Sequence, residues 1–268
     1  MAALKSDPSQ RDAKADDDAR PPSSTTNASP LARVMREFGD LVHALETGLL
    51  RSLEESPRGR SQLLPADIPT EARRLAVAEL STQYMRKHIV RSLRAAEALG
   101  RRAEEQLHAA RDAGRPADDQ DLCSIHNGYF RLYSTELFAL LGQPTDLRFG
   151  TLRFHRHMAD ADTPWISVEL ALGSSFFVAD SMETMPYHAF KVPQTPSLQN
   201  RGILSRKPED NGVFPAFDSW LLFTFLGDGC LKLEVPIEMC ADVYDGPLRG
   251  RDNEDVPFWG VFVEDETL

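Results

Sequence analysis

Between Leu31 and Ala110 the apolar residues recur every three or four positions, whereas beyond Leu147 they recur every second position in short runs broken by turn residues. A helix repeats every ~3.6 residues and a strand every ~2, so no single kind of element satisfies both patterns. The switch of period commits the chain to an α+β organisation, with the helices first and a mainly antiparallel β-sandwich or barrel-like domain after them. A helix is expected from a Ser29 cap and Pro30 to the break at Ser56-Pro57, its seam formed by Leu31, Met35, Phe38, Val42, Leu45, Leu49 and Leu53. A second, much longer helix is expected from about Thr70 to Ala113-Gly114. Its seam is Leu75, Ala78, Thr82, Met85, Ile89, Ser92/Leu93, Ala96, Leu99, Ala103, Leu107 and Ala110. Matching stripes across a short connection point to an antiparallel helical hairpin. A shorter third helix is expected within "YFRLYSTELFALLGQP", stopped by Gly142 with Pro144 beyond.

The divisions that follow are a tail over 1–28, the helical hairpin over 29–115, and a β-rich domain over 116–268 with a long polar loop at about 193–214. The tail is rich in Ser, Pro, Asp and Ala and nearly lacks large apolar side chains. It cannot bury enough surface to offset its ordering entropy and reads as disordered. It also has no apolar stretch of the secretory type, and Asp16-Asp17-Asp18 is foreign to a mitochondrial presequence. Three cysteines without framework spacing point to a reducing compartment, so the expected location is cytoplasmic or nuclear. A net charge of −11 disfavours general binding to phosphate backbones.

Within the β-rich part, "FTFLGDGCLKLEVP" invites a choice between a phosphate cradle and a hairpin turn. A cradle needs a helix after its glycines, so that backbone N–H groups face the anion. Here Leu231, Leu233 and Val235 alternate with Lys232 and Glu234, a strand with one wet face, and Asp228-Gly229 is a tight-turn pair. The glycines therefore turn the chain. Trp165, Trp220 and Trp259 fall in separate strand candidates, where core packing is expected.

Two groups of side chains stand out as candidate sites. Arg86, Lys87, Arg91, Arg94, Arg101 and Arg102 cluster on the second helix of an otherwise acidic protein. They suit a docking stripe for an acidic partner, or else a solvated face neutralised by Glu97, Glu104 and Glu105. In "FGTLRFHRHMADAD", His155 and His157 would share one face of a strand, as a chelate requires, with Asp160 or Asp162 adding an oxygen. A site of His155, His157 and Asp162 would suit one transition metal such as Fe, Mn or Zn. This pair after Gly150 resembles the first motif of cupins, which implies a metal-dependent β-barrel enzyme. The glycine spacing is one residue short, and the second motif of that family is absent. Cys123 and His126 have the spacing of half a zinc site, without a second knuckle to complete it.

The sequence carries no P-loop, dinucleotide fingerprint, nucleophile elbow, zincin motif or kinase set. The function expected is a non-catalytic protein-protein interaction or scaffold protein that uses its helices for a partner or for self-association, without membrane or nucleic acid. The alternative is a small-molecule binder or metal-dependent enzyme built around His155 and His157.

Overall fold

The computed structural model describes residues 29–55, 64–114, 122–157, 165–206 and 219–265. The expected disorder of 1–28, the ligand Asp162, the 207–214 part of the expected loop and the side chain of Cys123 lie outside the described residues. The chain divides into two compact units, Met1–Val77 and Ala78–Leu268.

Helix α1, Pro30–Glu55, begins where the sequence places it: the Ser29 hydroxyl accepts a 3.2 Å hydrogen bond from the Ala32 backbone N–H. It contains no buried residue, and Leu31 is 70% exposed. Helix α2, Ile68–Asp112, is 45 residues long and runs on into the second unit. In its first turns Ile68, Ala72 and Ala76 are buried, one stripe at four-residue spacing.

Eight antiparallel strands of the second unit close into a barrel in sequence order. They are β1 Gly128–Tyr133, β2 Gly150–His157, β3 Trp165–Leu172, β4 Ser175–Asp180, β5 Ser197–Arg206, β6 Ser219–Gly227, β7 Cys230–Pro236 and β8 Asp255–Glu264. Closure comes from β1 against β8, with Gly128 opposite Glu264 and Phe130 opposite Phe262. A barrel of this strand number has an interior just wide enough for its own side chains. Phe154 occupies the middle, its ring 5.5 Å from Phe223, 5.7 Å from Phe225 and 6.1 Å from Phe130. Apolar residues from outside the strands close both ends. Where β1 starts, the 3₁₀ turn Leu122–Asn127 adds Leu122 and Ile125 to the core. Where β7 gives way to β8, helix α5, Ile237–Tyr244, and the turn Gly246–Leu248 add Ile237, Met239, Cys240 and Leu248.

The Asp228-Gly229 pair is the tight turn between β6 and β7, with φ of 50° and 67°. Both central residues of such a turn need positive φ, and the turn's twist matches that of the flanking strands. Several expectations are corrected. Residues 129–133, expected as the start of a helix, form β1, with Phe130 and Leu132 inward and Arg131 outward. The third helix is only α3, Thr135–Leu140, capped by Ser134, whose hydroxyl accepts from Leu137 N–H. The helix signal of α3 runs straight into the alternation of β1, which hides the boundary. Residues 197–206 form β5 where a loop is expected, because polar Gln199, Asn200 and Arg201 mask a strand held by its pairing to β6. Tyr187–Pro193 is irregular: Pro186 and Pro193 bound it, and Phe190 drops into the core. The short helix α4, Ser181–Thr184, precedes it.

Candidate functional site

The barrel interior is occupied by its own residues, so the chemistry open to a partner lies on its outer surface and on α2. Within the second unit, α2 buries Ile89, Leu93, Ala96 and Ala103. Leu93 and Ile89 pack with Phe138 of α3, and Ala103 packs with Leu226, Cys230 and Trp259 of the barrel wall. The expected seam position Leu99 is 52% exposed; its neighbour Gly100 faces the wall instead, because a Cβ there would overlap the Trp259 ring. Only glycine lets the helix axis approach that ring.

With ~100° of turn per residue, Lys87, Arg91, Arg94 and Arg102 fall within about 80° of one another on the side opposite that buried face. All four are exposed, and none is ion-paired among the described residues. The other two cations of the expected cluster are engaged within the unit. Arg86 donates a 2.8 Å hydrogen bond to the Gln143 carbonyl. Arg101 lies 2.7 Å from Glu97 and stacks over Trp259, 5.8 Å from the ring centre. Glu97 also accepts a 2.8 Å hydrogen bond from the Thr135 hydroxyl. Burial works to raise the Glu97 carboxyl, but the hydrogen bonds from Arg101 and Thr135 and the charges of Arg101 and Arg94 hold it below the usual carboxylate range. Glu97, Arg101, Thr135 and Trp259 edge a hollow of about 320 Å³ that also takes in Glu104, Glu136 and Lys232.

His155 and His157 do project from the same outer face of β2, their ring centres 6.4 Å apart. Each Nε2 meets a protein group: that of His155 lies 3.4 Å from Glu169, and that of His157 shares a 2.7 Å hydrogen bond with Ser167. The His157 ring also stacks on Trp165 at 3.8 Å. Arg153, on the same face, makes a two-pronged pair with Asp265 at 2.6 and 2.9 Å. Among the described residues no group of three or more His, Cys, Asp or Glu is placed to hold a metal ion. His126 turns Nδ1 toward the Phe154 carbonyl at 3.3 Å, and burial pushes its pKa down, helped by the charges of Arg156 and His155. Cys230 and Cys240 are free and buried, and burial pushes the Cys240 thiol up to about 12.

Two features of this surface escape the sequence reading. All three tryptophans point out of the barrel rather than into it. Trp259 is covered by α2, Trp165 by His157, and Trp220 by His188, which stacks at 5.2 Å, with Tyr187 edge-on at 5.7 Å. The Gly100 notch also went unread, although a glycine between Ala96 and Ala103 in a long helix is the signal that could have marked it. Compared with known protein families, curated proteins and solved structures, the chain matches none of them. No helix among the described residues is long and apolar enough to cross a membrane.

Proposed function

We propose that the chain is a non-catalytic binding module that recognises a protein partner through its outer surface, with the helices as the recognition arm. The observation that carries this reading is the filled barrel. Phe154 and its aromatic neighbours occupy the interior, and Leu122, Ile125, Met239 and Leu248 seal the ends, so the space in which an eight-stranded barrel would hold a small ligand is taken. Burial of Cys230 and Cys240 supports it as well, because it pushes both thiols up and away from the thiolate that nucleophilic work needs. Free, unpaired cysteines fit the cytoplasmic or nuclear setting that the sequence suggests. In the first unit, the α1 seam and the Ile68, Ala72 and Ala76 stripe are complementary apolar faces, and the reading pairs them as an antiparallel hairpin.

Native mass spectrometry of tag-free full-length protein, before and after incubation in an extract of its own cells, tests the proposal. The expected result is the bare chain mass beforehand and protein-sized complexes afterwards. A stoichiometric small-molecule adduct with no protein-sized complex would overturn it. A bound metal ion that disappears in the His155→Ala, His157→Ala variant would favour the metal site instead.

A further inference from the structure

Lys87, Arg91, Arg94 and Arg102 stand on one line along α2, spanning about 22 Å at ~1.5 Å per residue. The opposite face of the same helix is fixed against the barrel wall through Gly100 and Ala103. The cations are thus held on a rigid support and aimed outward. Between them lie exposed Ala95 and Ala98, with Leu99 52% exposed on the flank. Small residues let a second backbone approach closely, and an exposed leucine beside them offers it an apolar contact. Of the nearby acids, Glu97 is committed to Arg101 and Thr135 while its charge also reaches Arg94. Exposed Glu105, on the line three residues after Arg102, makes no ion pair among the described residues, which leaves four cations against one acid.

We infer that this stripe is a docking surface for an acidic amphipathic helix of a protein partner. The inference rests on the outer-surface reading above and specifies the partner's chemistry. Cations at i, i+4 and i+7 match carboxylates at the same spacing on a facing helix, as flanking charges do in paired helices. The Ala98 and Leu99 step between them suits the partner's apolar edge. A nucleic acid makes no use of that step, no Phe, Tyr or Trp lies between Lys87 and Arg102 for bases to stack on, and Tyr84 at the end of the stripe is covered by Lys87, 5.1 Å from the ring centre. The chain's net charge of −11 also repels a long polyanion, whereas a short acidic helix meets mainly the local cations.

The test uses the full chain and a fluorescent helical peptide of about three heptads, with glutamates along one flank and leucines beside them. Anisotropy at low salt is expected to show binding that weakens as salt rises. Arg91→Gln, Arg94→Gln and Arg102→Gln together are expected to weaken it on the order of tenfold, three exposed ion pairs being lost. Leu99→Ala is expected to weaken it about fivefold with little change in salt dependence. Neutral glutamine is a good helix former, and unchanged Trp259 emission, read in a Trp165→Phe, Trp220→Phe background, verifies that α2 stays docked in each variant. No binding by the wild type, or equal binding by the triple variant, would overturn the inference. So would a single-stranded RNA of matched charge that binds and displaces the peptide. If the triple variant still forms protein-sized complexes in extract with the wild-type yield, the stripe is ruled out and the outer-surface reading stands. If the wild type forms none, the reading beneath it falls.

Discussion

A single imidazole illustrates how burial alone can make this protein sensitive to pH. His126 sits at the barrel end with Nδ1 on the Phe154 carbonyl, and its pKa is lowered first by burial and then by Arg156 and His155. No acid among these neighbours rewards a positive charge. The unfolded chain therefore takes up the proton at higher pH than the folded one, near the ordinary histidine value of about 6.5. The stability contributed is complete above that pH and is lost as pH falls through it toward the lower folded value. Urea unfolding between about pH 7.5 and 5 should show falling stability, and His126→Asn, which keeps an N–H for the carbonyl, should flatten the slope. An unchanged slope in that variant would assign the pH dependence elsewhere. Residue identity also explains the tryptophans. Their size suggests a core, but position parity decides: Trp165 and Trp259 are odd residues in strands whose even residues face inward, and Trp220 is an even residue in β6, whose odd residues Leu221, Phe223 and Phe225 face inward.

At the scale of the element, the decisive contact is the one between α2 and the barrel wall. It combines a glycine notch, the Trp259 ring seated in it, Ala103 against Leu226, and Arg101 folded over the ring. Gly100→Ala should gain up to about 1 kcal/mol of helix propensity, yet its new Cβ overlaps a ring that is packed on its other side. Overpacking of that kind costs about 1–3 kcal/mol and should prevail. The expected outcome is lower stability together with red-shifted emission from Trp259 in a Trp165→Phe, Trp220→Phe background, as α2 lifts from the wall. A stabilised protein with unshifted emission would show that the helix tolerates a wider spacing. The same docking gives the cationic stripe its orientation, so a helix that lifts should also lose its preference for the acidic peptide.

At the scale of the whole molecule, the barrel is a packed core rather than a vessel. Phe154→Ala removes the ring that touches Phe130, Phe223 and Phe225 and should cost about 3–5 kcal/mol in denaturant unfolding. The vacated, dry space should then accept a small apolar molecule such as benzene, which the wild type should refuse. A cost below about 1 kcal/mol, or benzene binding by the wild type, would mean that the interior already holds open volume. What the residues determine unaided is local: the helix start at Ser29-Pro30, the extent of α2, the Asp228-Gly229 turn, the shared face of His155 and His157 on β2 and the inward row of β7. Each rests on capping, turn chemistry or periodicity that acts over a few neighbours. The polar strand β5, the short β1 fused to α3, the closure of β1 on β8, the outward tryptophans and the division of six cations into two engaged with the rest of the unit and four exposed without an ion pair among the described residues were decided only in three dimensions. Strand pairing, register and helix docking bring together residues far apart in the chain, and no local pattern records which distant partner a strand or a guanidinium will meet.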